Sequence, residues 1–259
     1  MEGVLRKLRH VLSAILLVAA TGVLGGGPTA QAAPYFQLTN APGGSGPATY
    51  FVSADHWRTV RVYNAGLVET LAAGMFGLRL LETLADGTPI GEPAFDLPTF
   101  CLEIGQQIAL PALYEAKPVD TVLPSAKADQ IARLWGQRLA AVSDPTDPRF
   151  EGVSGASSRD RVAAFQVAIW ELAVDGNDGL GAGQFRLVSP DAPLRALSLA
   201  YLAIAADPLL PFGPVRALVS PFSQDQLDDP LSDIPEPASA FLLAAALLGL
   251  GIGRGRRTT

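Results

Sequence analysis

One cysteine and two histidines are all that 259 residues contain of the side chains most used for metal binding and base catalysis. A lone Cys101 excludes a disulfide within the chain. One cysteine with His10 and His56 cannot furnish the four ligands of a structural zinc site, so no metal is expected. Histidine-assisted hydrolysis has little to work with: His56 stands next to Trp57 with no G-x-S-x-G turn anywhere in the chain, and no enzymatic activity or cofactor is expected. Charge is sparse at 17% of residues, and no apolar run reaches the roughly 20 residues of a comfortable membrane crossing. What is present is apolar bulk, 49% of the chain, punctuated by 26 glycines and 21 prolines. That composition folds and is not disordered.

The shorter apolar runs lie at the two ends. Arg6, Lys7 and Arg9 precede Val11 to Leu24, and Ala30-Gln31-Ala32 follows as an A-x-A site. Residues 1–32 therefore read as a signal peptide cut before Ala33 by a secretory signal peptidase. At the other end Pro235-Glu236-Pro237 leads into sixteen mostly apolar residues, Ala238 to Gly253, and then Arg254, Arg256 and Arg257. As a helix that stretch is about 24 Å long, enough to span with some thinning of the bilayer, with the arginines on the cytoplasmic side. The two prolines hold the preceding chain extended and open to a processing enzyme. Tripeptide, helix and arginines in this order resemble the PEP-CTERM sorting signal, here residues 235–259. The resemblance implies an exosortase-type sorting enzyme as partner, transient anchoring in the inner membrane, and then the cell surface or extracellular matrix. A permanent tail anchor is the plainer alternative.

Both ends are rich in base. Setting aside six of the 19 basic side chains and two of the 25 acidic ones leaves 13 against 23, a net charge of −10. Nucleic acid and anionic membrane surfaces are thus poor partners, and no nucleic acid is expected. The remaining span of about 200 residues suits one domain with a real core.

Within that span the hydrophobic period changes. Residues 33–47, full of Pro, Gly, Ser and Ala, read as a flexible leader. Strands are expected at Tyr50–Val52, Thr59–Tyr63, Met75–Leu84 and Thr99–Ile104, with turns at Asn64-Ala65-Gly66 and Asp86-Gly87-Thr88-Pro89. Helices are expected at Ser125–Val142, at Ser157–Val174 with Ser157 or Ser158 as N-cap and Asp160 in the first turn, and at Asp191–Ala206. Residues 207–234, dense in Pro and Asp, read as a linker or a closing strand. The expected class is α+β: an antiparallel, sandwich-like sheet in the first half, helices in the second, and one domain over 48–206.

Gln166 is the single polar residue between Val162 and Trp170, and its helical neighbours Val162, Ala163, Ile169 and Trp170 are apolar. Its amide needs a partner, because an unpaired buried one costs about 1–3 kcal/mol. Phe100-Cys101-Leu102-Glu103, followed by Phe165-Gln166-Val167-Ala168-Ile169-Trp170, resembles the thioester domains of bacterial surface adhesins. It is also similar to a group of PEP-CTERM proteins over roughly residues 68–187. The resemblance implies a thioester cross-link between Cys101 and Gln166, walled by Phe100 and Trp170, that a surface or matrix polymer bearing amine or hydroxyl groups can attack. The adhesin motif has Thr where Phe165 stands. From the residue types alone, a free buried cysteine beside a hydrogen-bonded core glutamine is the better account of the pair and makes the protein a non-covalent matrix-binding module; motif order, the lone cysteine and export bring the two readings level.

Asp175-Gly176-Asn177-Asp178-Gly179 begins like a calcium loop but lacks its glycine phase and its closing glutamate, Arg186 standing there instead. It reads as the turn that ends the helix.

Overall fold

The computed structural model describes residues 35–40, 56–90, 94–137 and 156–230. The signal peptide, the sorting tail with Pro235, Glu236, Pro237, Arg254, Arg256 and Arg257, and the strand expected at Tyr50–Val52 lie outside the described residues. Among the described residues no helix is long and apolar enough to cross a membrane.

The class is α+β, with strands dominating the first half and helices the second. The strands are β1 (Tyr35–Asn40), β2 (Trp57–Asn64), β3 (Leu67–Gly74), β4 (Phe76–Thr83), β5 (Ala94–Cys101), β6 (Ala112–Pro118), β7 (Phe185–Leu187), β8 (Arg216–Val219) and β9 (Gln226–Asp228). The helices are α1 (Val119–Val122), α2 (Ser125–Gly136), α3 (Ser158–Val174) and α4 (Ala192–Ala206). The expected sandwich is instead a closed antiparallel barrel in the order β1-β4-β5-β9-β8-β6, beside a separate sheet β3-β2-β7. Leu38, Leu80, Tyr114 and Leu218 alternate to its inner face and are buried. One expectation changes with it: Tyr35–Asn40, placed in the flexible leader, is a full barrel strand paired with both β4 and β6. Of the two readings of 207–234, linker or closing strand, the described part of that stretch takes the second and supplies β8 and β9, which close the barrel.

The two sheets share one meander, and the chain leaves one for the other at Gly74-Met75. There the Met75 amide donates to the His56 carbonyl at 2.9 Å. A Cβ on Gly74 would lie 2.3 Å from that same oxygen, so only glycine allows the approach.

Helix α3 is buried all round, from Asp160 to Leu172, which is why its sequence shows no polar face. It runs between the barrel, the three-stranded sheet and the other helices. Phe165 meets Phe100 of β5, Trp135 of α2 and Tyr201 of α4 at ring-centroid distances of 4.8, 6.4 and 5.3 Å. One turn on, Trp170 packs on Phe185 of β7 at 6.4 Å. Ser157 caps α3 in a capping box with Asp160, and Asp191 caps α4. Arg58 of β2 ion-pairs with both Asp160 and Asp191, tying the two helix N-termini to one sheet.

Candidate functional site

Residues 101 and 166 meet in the fold. The Gln166 side chain is fully buried. Its Oε1 accepts from the Cys101 backbone N–H at 2.8 Å, and its Nε2 donates to the Cys101 carbonyl at 2.7 Å. The register explains why this place is open. β4 and β5 pair Phe76 with Thr99, so continuing that ladder by two residues would set Gly74 against Cys101. Gly74, however, has left for β3, where it pairs with Trp57. On the other side of β5 the Leu102 amide donates to Asp225 at 2.8 Å, so the Cys101 backbone faces the vacated side. The Gln166 carboxamide replaces the missing strand, satisfying one donor and one acceptor at once.

The sulfur points elsewhere. Strand alternation puts Phe100 on the helix side and Thr99 and Cys101 on the opposite face, where Cys101 is in register with Gln226. The thiol donates to Gln224 Oε1 at 2.7 Å, and Gln226 Nε2 approaches the sulfur at 3.6 Å. Gln224 Nε2 is held by the Glu103 carbonyl at 2.6 Å, and Gln226 Oε1 accepts from the Thr99 hydroxyl at 3.0 Å. The Tyr114 hydroxyl donates to Ser223 Oγ at 2.7 Å and lies 3.2 Å from the Gln224 carbonyl. Burial pushes the thiol well above its ordinary value, with the nearby Glu103 adding to the rise while Gln226 opposes it. Burial likewise pushes Tyr114 up to about 12, against the lowering effect of Ser223. At neutral pH the site is thus an uncharged thiol among neutral amides and hydroxyls.

Neither residue expected as an apolar wall is placed against the sulfur. Phe100 belongs to the aromatic group on the helix side of β5, in edge contact with Trp135 at 6.1 Å. Trp170 shares α3 with Gln166 but faces β7. Glu103 contributes its carbonyl to Gln224, and its carboxylate accepts from the Asp225 amide at 3.4 Å. Glu171 is buried lower on α3, accepting from the Gly179 amide at 2.8 Å. The 175–179 turn closes that helix end, with Asp175 accepting from the Phe185 amide at 2.7 Å. Among the described residues no cluster of three His, Cys, Asp or Glu side chains is placed to hold a metal ion.

Thr99, Gln224 and Gln226 were not legible as site residues. Ser223-Gln224-Asp225-Gln226 reads as polar loop, and its one signal is the two-residue spacing that puts both glutamines on one face of an extended chain. Compared with family models and with curated proteins, the chain gives a match to neither.

Proposed function

We propose that this is an exported surface or extracellular-matrix protein that attaches covalently to polymers through a thioester between Cys101 and Gln166. The observation that carries the reading is the Gln166 carboxamide lying on the Cys101 main chain, brought there from 65 residues away. The sulfur attacks the Gln166 carboxamide carbon, the C–N bond breaks, and the thiol proton leaves with the nitrogen as ammonia. The stored acyl group then passes to an amine or hydroxyl on the target, giving an amide or ester and returning the thiol. Burial of both residues keeps water from competing. Each molecule reacts once, so the protein is a covalent binder and not an enzyme. The basic n-region, the A-x-A site and the Pro235-Glu236-Pro237 tail with Arg254, Arg256 and Arg257 support its routing by signal peptidase and an exosortase-type enzyme.

A second reading, a non-covalent matrix module with an unreacted thiol, is favoured by a different observation. Both atoms of the Gln166 amide and the thiol itself are already hydrogen-bonded. Intact mass of the gently purified exported protein separates the two. The thioester makes it lighter by one ammonia and inert to thiol reagents, and a brief exposure to methylamine restores a reactive thiol. Full unmodified mass with a thiol that reacts as soon as the protein is unfolded, and no capture of methylamine, leaves the non-covalent module.

A further inference from the structure

We propose that Gln224 is the positioning residue that holds the Cys101 thiol in its resting, protonated orientation and so sets the geometry from which the sulfur reaches Gln166. The second half of that statement rests on the thioester reading; the first does not.

The carboxamide of Gln224 can face the sulfur in one way only. Its Nε2 lies 2.6 Å from the Glu103 carbonyl, an acceptor with no proton to give, so the nitrogen belongs there and Oε1 is turned to the thiol at 2.7 Å. The residue is itself anchored. Its amide donates to the Gln107 carbonyl at 3.2 Å, and its carbonyl receives Gln226 Nε2 at 3.1 Å and the Tyr114 hydroxyl at 3.2 Å. Gln226 has its Oε1 occupied by Thr99, which leaves its nitrogen as the group facing the sulfur, at 3.6 Å. The sulfur therefore has one strong acceptor for its proton and one distant donor.

A neutral acceptor stabilises S–H over thiolate and fixes one rotamer about the Cα–Cβ bond, the only side-chain torsion that can carry the sulfur elsewhere. In the reaction the S–H···Oε1 bond of Gln224 is given up as the S–C bond to Gln166 forms and the proton departs with ammonia. When the thioester is opened, the thiol returns to Gln224. Held in this way, the free thiol is kept from reversing the transfer by attacking the new amide or ester.

Cys101 is the chain's one cysteine, so its S–H stretching band in the infrared has a single source. The measurement uses the thiol form: the protein as purified if the band is present, or after brief methylamine treatment if it is absent. The expected wild-type band is shifted down and strengthened by the S–H···O bond. Gln224→Met should return it to the position of an unbonded buried thiol, whereas Gln226→Met should leave it shifted. Where the wild type loses ammonia on refolding, Gln224→Met should not slow that loss and should speed it severalfold, as expected when a contact made only in the resting state is removed. An unshifted wild-type band, or equal shifts in both variants, overturns the proposal. Should Gln224→Met fail to fold, Gln224→Glu replaces it. Its protonated carboxyl keeps both contacts at acid pH, and its carboxylate cannot donate to the Glu103 carbonyl at alkaline pH. A band that does not respond to pH in that variant also overturns the proposal. A wild type that never loses ammonia removes the thioester reading alone, since the band then tests Gln224 directly.

Discussion

At the scale of single residues, the centre of the molecule is polar contact made to serve packing. Gln166 gives the barrel two hydrogen bonds that its own strands do not supply. Gln166→Leu keeps the volume and removes both partners of the Cys101 backbone. It should lower stability by about 2–4 kcal/mol in urea unfolding, the cost of two buried unpaired groups. Glu171 works in the opposite direction. Burial raises it from an ordinary 4.5 to about 7, with Asp175 and Asp178 pushing the same way and only the loop amides resisting, while its Oε2 has no partner. Folding therefore favours the protonated acid. The folded state binds more protons than the unfolded chain between those values, so stability falls as pH rises from about 4.5 to about 7 and is flat above. Asp225, raised to about 6 mainly by burial, adds to the same slope. Glu171→Gln should shallow that slope, measured as midpoint against pH, and unfold later than wild type above pH 7. An unchanged slope would remove Glu171 as its source.

At the scale of elements, α3 is decided by its start and by its neighbours. Ser157 and Asp160 satisfy each other's backbone amides, so Ser157→Ala should cost about 1 kcal/mol by thermal or urea unfolding. The end of α2 depends on a close backbone approach. The Gly213 amide donates to the Ala132 carbonyl at 2.8 Å, and a Cβ on Gly213 would lie 2.4 Å from the backbone of Gly136. Gly213→Ala should thus destabilise by about 1–3 kcal/mol, while Gly105→Ala, with open space around its Cβ position, should change little. Equal effects from the two would show that α2 and the 207–215 segment do not need to touch.

At the scale of the molecule, the barrel closes only through its last strands. β8 pairs with β6, β9 pairs with β5, and the two pair with each other. Buried Asp228 of β9 receives Arg216 of β8 in two bonds of 2.8 Å. Ending the chain after Val215 opens the barrel between β5 and β6 and removes Gln224 and Gln226 from the thiol. The truncated protein should lose its cooperative unfolding transition and react with thiol reagents without denaturant. Retained cooperativity would mean that the four remaining barrel strands fold without closure.

Much was already decided along the chain. Helical spacing and caps place α3 and α4 within a residue of their observed starts, because Ser157, Asp160 and Asp191 act on amides three residues away. Asn64-Ala65-Gly66 marks the hairpin between β2 and β3, since the turn needs the positive φ that Ala65 and Gly66 adopt. Gln166 stands out as a polar residue that an apolar helix must bury, and its pairing with Cys101 is what the resemblance of the two motifs implies. What the sequence leaves open is long-range. β1 hides among Pro, Gly and Ser because its partners, β4 and β6, lie more than 35 residues away. The last strands are only four and three residues long, readable as strands only once a barrel needs closing. Above all, local pattern fixes that Gln166 needs a partner, whereas tertiary register decides that the partner is the Cys101 backbone, left open where β3 turns away, and that the sulfur belongs to Gln224.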